Sequence, residues 1–310
     1  MTASAPAPVA RLIDAHIHLW DLAHIHYPWL TPPFRDGGPN GNVSSIARTY
    51  LLSDYLDDAA KWPVEGIVHV DAGAAPEAAL DETKWLQRIC NQRPDLPVAI
   101  VGFAALEATD VDRLLAAHCE HANVRGIRQI LNWHADPELT YTPENLLDNE
   151  VWLRGFGRLA RFGLSFDLQI YPSQMAAAAR LAAAHPDTTL ILNHAGMPVD
   201  RSADGMRLWS SGMAQLAAQS NVVVKISGLG IADHVWTEES IRPIVLETID
   251  HFGVERCMFA SDVPTDKLYA GFDRILGSFS RITADFAAAE RDALFAANAQ
   301  RIYRLGGQAR

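Results

Sequence analysis

The sequence predicts an α/β chain closed into a (β/α)8 TIM barrel, and three observations carry that expectation. Eight short apolar, β-rich runs recur along the 310 residues. Segments of helical character lie between them, and strands alternating with helices imply βαβ units and a parallel sheet. The runs are nearly uninterruptedly apolar, as strands covered on both faces are. Eight units in a chain of this length fit a barrel, for which about 250 residues is typical. The competing architecture is an open doubly wound sheet, against which no GxGxxG follows the first run.

The predicted strands are residues 12–18, 66–70, 97–103, 124–130, 164–169, 189–194, 222–227 and 256–261. Helices are expected over 75–91, 110–121, 145–162, 173–185, 205–219 and 238–252. Thr142-Pro143-Glu144 reads as a helix start, as does Thr237 followed by Glu238 and Glu239. Ser173 precedes an alanine-rich run of high helix propensity, and Asn91-Gln92-Arg93-Pro94 reads as a helix exit. The stretch 21–42, rich in Pro, Gly and aromatics, is expected as a loop over the barrel mouth. Residues 1–10 read as a disordered lead-in and 11–305 as one barrel domain without a mid-chain linker.

Composition limits the function. Hydrophobic residues make up 49% and charged residues 20%, which excludes disordered and collagen-like classes. Lys+Arg 26 against Asp+Glu 37 leaves a net charge of −11, which argues against nucleic-acid and anionic-membrane partners. An acidic small molecule stays allowed, because one buried arginine can outweigh a diffuse field. Cys90, Cys119 and Cys257 form no CxxC pair, so reduced, cytoplasmic thiols are expected. No apolar run is long enough for a transmembrane helix, and the N-terminal stretch lacks the regions of a secretory signal. Nothing in the pattern sets an oligomeric state.

A barrel places its chemistry at the C-terminal ends of its strands. On the first strand Asp14, His16 and His18 share one parity, which is expected to face inward, with Ile13, Ala15, Ile17 and Leu19 toward the helices. His194 and Asp262 stand where the sixth and eighth apolar runs stop. Arg128, Gln169, Lys225 and His69 add polar groups from the fourth, fifth, seventh and second strands. Each has a plainer role open to it. His194 could be a satisfied buried histidine, and Asp262 could cap the following loop beside Pro264. Lys225 could snorkel to the barrel end, Gln169 could satisfy backbone groups, and Arg128 could pair with Asp167 or Glu107. His24 and His26 are expected in the loop, and Trp20, Trp29 and Trp133 as pocket walls or loop anchors.

Taken together, these residues resemble a known family. Asp14-Ala15-His16-Ile17-His18-Leu19-Trp20-Asp21, Glu82-Thr83-Lys84-Trp85-Leu86 and Arg125-Gly126-Ile127-Arg128 carry the first half of the likeness. Leu192-Asn193-His194-Ala195-Gly196-Met197-Pro198, Val224-Lys225-Ile226-Ser227-Gly228-Leu229 and Ala260-Ser261-Asp262-Val263-Pro264 carry the second. The pattern is similar to the amidohydrolase superfamily, in the amidohydrolase-2 branch of sugar-acid lactonases and 2-pyrone-4,6-dicarboxylate lactonase.

The resemblance implies a hydrolase that opens a lactone ring, with a sugar-acid 1,4- or 1,5-lactone favoured. Asp262 would be the general base, and His16, His18 and His194 would polarise the carbonyl. Arg128, His69 and Gln169 would bind substrate. The resemblance also allows one divalent metal, zinc, held by His16, His18 and Asp262, or no metal at all. Gln169 stands where many metal-dependent relatives have histidine, and Arg128 and Gln129 stand where a carbamylated lysine would be, which argues against a binuclear centre. The alternatives on the same barrel are a metal-dependent amidohydrolase, a decarboxylase or a sugar-lactone isomerase. The expected partner is a small-molecule lactone.

Overall fold

The computed structural model describes residues 8–306, so most of the 1–10 lead-in lies outside the described residues. All eight expected strands form, as β1 (Leu12–Ile17), β2 (Val64–Val70), β3 (Val98–Phe103), β4 (Val124–Ile130), β5 (Ser165–Gln169), β6 (Leu190–Leu192), β7 (Val222–Ile226) and β8 (Cys257–Phe259). Each pairs in parallel with the next, in the order β1 to β8. The barrel closes just beyond the strand ends: the Asp262 N–H donates to the His16 carbonyl at 2.9 Å and the His18 N–H to the Val263 carbonyl at 2.8 Å.

Helices follow the strands in turn: α1 (Leu52–Asp58), α2 (Ala79–Gln92), α3 (Val111–Cys119), α4 (Glu150–Phe156), α5 (Met175–Ala184) and α6 (Ala203–Ala217). After β7 come α7 (Leu229–Ala232) and α8 (Glu238–Phe252), and after β8 come α9 (Phe272–Ile282), α10 (Ala288–Asp292) and α11 (Asn298–Ile302). Thr237 caps α8, its hydroxyl accepting from the Ser240 N–H at 3.2 Å. The start expected at Thr142 is not used. Asn149 caps α4 instead, because its carboxamide accepts from both Val151 and Trp152 N–H groups. The expected 145–162 helix is accordingly broken into short pieces.

The inside of the barrel corrects the parity expected for the first strand. Ile13 and Ala15 pack in the interior cluster with Val68, Val70, Val101, Ile191 and Met258. Asp14 points the other way, accepting from the Tyr55 hydroxyl at 3.2 Å on α1. Between Asp14 and Ile17 the register against β2 slips, from the pair Asp14–Ile67 to the pair Ile17–His69. One extra residue on β1 therefore makes a bulge that swaps the two faces. Above it His16 and His18 face inward while Ile17 and Leu19 join the helix-side core. Simple alternation fails at this point because a period of two survives no insertion.

The N-terminal end of the barrel is plugged by the C-terminal segment. Ala296, Ala299, Tyr303 and Leu305 belong to the interior cluster, and Arg125 at the start of β4 donates to the Tyr303 carbonyl at 3.0 Å. On the outside, α4 packs against the loop after β3 so closely that a Cβ on Gly155 would sit 1.8 Å from the Leu106 carbonyl oxygen. Gly155→Ala should therefore lower stability by about 2 kcal/mol, read as a drop of several degrees in the thermal midpoint, because backbone on backbone cannot relax cheaply. An unchanged melt would show that this contact is not as tight as described.

Candidate active site

The C-terminal face carries a cavity of about 210 Å³. Its lining includes His18, Arg128, Gln169, His194 and Asp262, together with Trp29, Asn40, Tyr141, Ile231 and Thr265. The volume is below the about 300 Å³ at which pockets for drug-sized ligands begin, so a compact molecule fits.

The core of the site is a group of imidazoles around one carboxylate. Asp262 Oδ1 lies 3.4 Å from His16 Nε2 and 3.3 Å from His18 Nε2, all buried. The ring centroid of His194 lies 4.8 Å from that of His16, with the two planes tilted by 39°. Both Asp262 oxygens and His16 Nε2 make no hydrogen bond among the described residues. Such buried, unmatched polar atoms are costly in a purely structural role and are poised for a ligand.

Backbone strain holds the two loop-borne members. β6 and β8 stop before His194 and Asp262, which adopt left-handed φ values of 55° and 57°. For residues with a side chain this costs about 1–3 kcal/mol each and gathers at functional sites. Room for the His194 ring is made by Gly228, where a Cβ would lie 2.2 Å from His194 Nδ1. The Ser227 hydroxyl sits 3.1 Å from that same nitrogen.

Burial sets the charge states. It lowers His18 to about 3 and His194 to about 4, and lowers His16 well below its ordinary value, with Lys225 adding to the effect on His16. All three rings are neutral at pH 7. Burial raises the Asp262 carboxyl, opposed by His194, Arg128 and Lys225. Asp14, outside the ring of imidazoles, is pushed up to about 6 by burial, and its Oδ1 accepts from the Ser261 N–H at 2.9 Å.

Arg128 reaches the cavity but pairs with neither Asp167 nor Glu107. Its Nε donates to Asp71 Oδ2 at 3.3 Å, its Nη2 to the Asp71 carbonyl, and its Nη1 to Gln169 Oε1 at 3.1 Å. Asp71 was legible in principle, since it follows the apolar end of β2 as Asp262 follows that of β8. Asn40 and Tyr141 lie in connections and Ile231 in the one-turn helix α7, where no local pattern marks them. Lys225 does not snorkel to the barrel end; it is fully buried and lies 2.5 Å from Asp167 Oδ1.

His69, expected among the substrate contacts, is placed elsewhere. It lies on the helix side of β2, and its Nε2 bonds the Leu19 carbonyl at 3.1 Å, outside the cavity lining. Val68 and Val70 take the inward positions, so the strand's parity turns His69 away. Of the three tryptophans only Trp29 lines the cavity, while Trp20 is buried behind it. His24 and His26 are exposed.

A metal fits this group in donor type. Ligand atoms of His16, His194 and Asp262 lie within 4.8 Å of one another, and two nitrogens with one carboxylate oxygen suit an open zinc site. The trio expected from sequence contained His18 in place of His194. His18 is not in that set, but its Nε2 lies 3.3 Å from Asp262 Oδ1, and its Nδ1 faces the Val70 carbonyl at 2.8 Å. Among the described residues no helix is long and apolar enough to cross a membrane.

Eight parallel strands, paired histidines on the first, a histidine after the sixth and a carboxylate after the eighth define a hydrolase barrel of the amidohydrolase type. The chain belongs to the amidohydrolase family, whose Amidohydro_2 model matches residues 13–305. It is 44% identical to the uncharacterized protein y4mH of Sinorhizobium fredii, over 95% of this chain and 98% of that one. It is 28% identical to L-fucono-1,5-lactonase of Burkholderia multivorans, over 96% and 97% of the two chains. A crystal structure of an amidohydrolase from Burkholderia multivorans with bound HEPES superposes with a TM-score of 0.79 at 27% identity, over 96% of this chain and 100% of the other. The same amidohydrolase with bound zinc gives a TM-score of 0.78 at 27% identity, with the same coverage.

Zinc added to the protein should bind at one ion per chain, and His194→Ala should weaken it by more than about tenfold, measured by competition with a chromogenic chelator. Equal affinity in the variant would remove His194 from the ligand set.

Proposed function

We propose that this chain is a lactonase acting on a small, uncharged lactone, a sugar-acid 1,4- or 1,5-lactone being the best fit. The observation that carries the reading is the unmatched Asp262 carboxylate, facing two imidazole Nε2 atoms at 3.3 and 3.4 Å in the floor of a compact cavity. Lactonase relatives at 28% identity support it. The electrostatics favour a neutral substrate. Arg128 is the one Lys or Arg side chain among the described lining residues, and Asp71 already balances it.

In the reaction Asp262 takes a proton from water as the water oxygen attacks the lactone carbonyl carbon. Imidazole N–H groups stabilise the oxyanion that forms. The ring C–O bond then breaks, and Asp262 returns its proton to the departing ring oxygen, giving a hydroxy acid. Arg128 and Gln169 hold the substrate's hydroxyls at the rim. A metal held by His16, His194 and Asp262 would supply Lewis acidity and lower the pKa of its bound water. Tyr141, Trp29 and Ile231 exclude solvent from the reacting carbonyl.

A pH-indicator screen should show acid release from aldonolactones and much less from a pyrone dicarboxylate lactone. Isomerisation would release no acid, so a silent indicator with substrate consumed overturns the hydrolytic reading. Asp262→Asn should lower kcat by about 10³-fold while substrate still binds; wild-type turnover in that variant removes the base assignment. Because burial raises the Asp262 pKa, its basic form is lost earlier as pH falls. The acid limb of kcat/KM should therefore lie above the ordinary carboxylate value of 3.8, and a limb at or below that value contradicts the raised carboxyl.

A further inference from the structure

Arg128 is the cation that faces the cavity, and both edges of its guanidinium are already engaged. A guanidinium grips a carboxylate through two parallel N–H bonds, along either its Nε–Nη2 edge or its Nη1–Nη2 edge. One residue fills the first edge. Nε donates to Asp71 Oδ2 at 3.3 Å, and Nη2 donates to the Asp71 carbonyl. On the second edge Nη1 donates to Gln169 Oε1 at 3.1 Å. Three of the five N–H donors are therefore committed, leaving one on each terminal nitrogen. Those two suit single hydroxyl or carbonyl oxygens. Asp71 is itself fixed in place. Its Oδ1 accepts from the Gly73 N–H at 3.0 Å, where the backbone turns at a φ of 73° that suits glycine. Glu82 lies buried behind it, with Oε1 3.4 Å from the Ala72 nitrogen. Burial first, and Asp71 second, push the Glu82 carboxyl well above the ordinary carboxylate range. The counter-charge to Arg128 therefore comes from Asp71.

We propose that Asp71 is a specificity-determining residue: by occupying the carboxylate-binding edge of Arg128, it makes the pocket take neutral, hydroxyl-bearing ligands and reject carboxylates of similar shape. This deepens the lactonase reading by assigning the preference for uncharged lactones to one side chain, and its consequences for turnover rest on that reading. A ligand carboxylate at Arg128 has to displace Asp71 from the guanidinium or stand beside it as a second anion. Either arrangement is unfavourable in a buried site, so Asp71 acts against the wrong ligand rather than for the right one. Replacing Asp71 by a neutral residue leaves the guanidinium without its partner, and the same pocket should then recognise an anion.

The test is calorimetric binding of benzoate and benzamide, two compact probes of one shape that differ in charge. In Asp71→Asn the affinity for benzoate should rise at least about tenfold over wild type, while that for benzamide changes by less than about threefold. An unchanged benzoate affinity, or an equal gain for both probes, overturns the proposal. Where loss of its partner at Arg128 keeps Asp71→Asn from folding, Asp71→Ser, which lets water reach the guanidinium, takes its place with the same expectation. Asp71→Asn combined with Arg128→Gln strands no charge and should lose the gain. A gain kept in that double variant places the anion elsewhere and also overturns the proposal. On lactones, kcat/KM for a sugar lactone bearing a carboxylate, relative to its neutral counterpart, should rise at least about tenfold in Asp71→Asn, mainly through KM. A ratio equal to that of the wild type contradicts the proposed role. If benzoate gains affinity as expected but the wild type opens no lactone, the lactonase reading fails and the role of Asp71 stands. If lactones are opened but benzoate gains nothing, the reading stands and the role of Asp71 fails.

Discussion

The structure depends on the seam between the first and last strands. β8 and β1 share no long ladder, and two backbone hydrogen bonds, from Asp262 to His16 and from His18 to Val263, bring the sheet round on itself. The Asp14 side chain reinforces them by accepting from the Ser261 N–H. The residues that close the barrel are therefore the residues that carry its candidate chemistry. The left-handed backbone at Asp262 is affordable only because the closed sheet determines it from both sides.

Below the seam the interior is not uniformly apolar. Ile13, Val68 and Met258 fill the lower barrel, but Lys225, Asp167 and Tyr303 form a buried polar step under the histidines. Breaking such a pair typically costs about 3–5 kcal/mol, because the surviving charge is left without compensation. The step also gives the C-terminal segment a second role. Besides covering the N-terminal end of the barrel, Tyr303 fixes the carboxylate that fixes the lysine. Higher up, the Arg128–Asp71 pair balances the cationic side of the cavity, so the pocket has polarity without a net positive field.

Much of this was legible from residues alone. Eight apolar runs became eight strands in order, because strands buried on both faces have a compositional signature that survives without neighbours. The convergence of His16, His18, His194 and Asp262 follows from the rule that barrel strands deliver their ends to one mouth. Gln169 and Arg128 also reach the cavity. What failed was tied to single insertions and long connections. The bulge after Asp14 exchanged the faces of β1, Asn149 rather than Thr142 started α4, and His69 turned toward the helices.

The sequence by itself determined the strand count, the barrel class and the chemical types gathered at one end, since these depend on composition and local period. The tertiary structure decided which way each ring points, which nitrogen faces which partner, and which of His18 and His194 joins His16 and Asp262 in a metal-sized group. Those properties are set by contacts between residues far apart in the chain, such as Lys225 with Asp167 and His16, or Arg128 with Asp71. No local pattern encodes them, because a hydrogen bond across the barrel depends on register and closure, which exist only once all eight strands are in place.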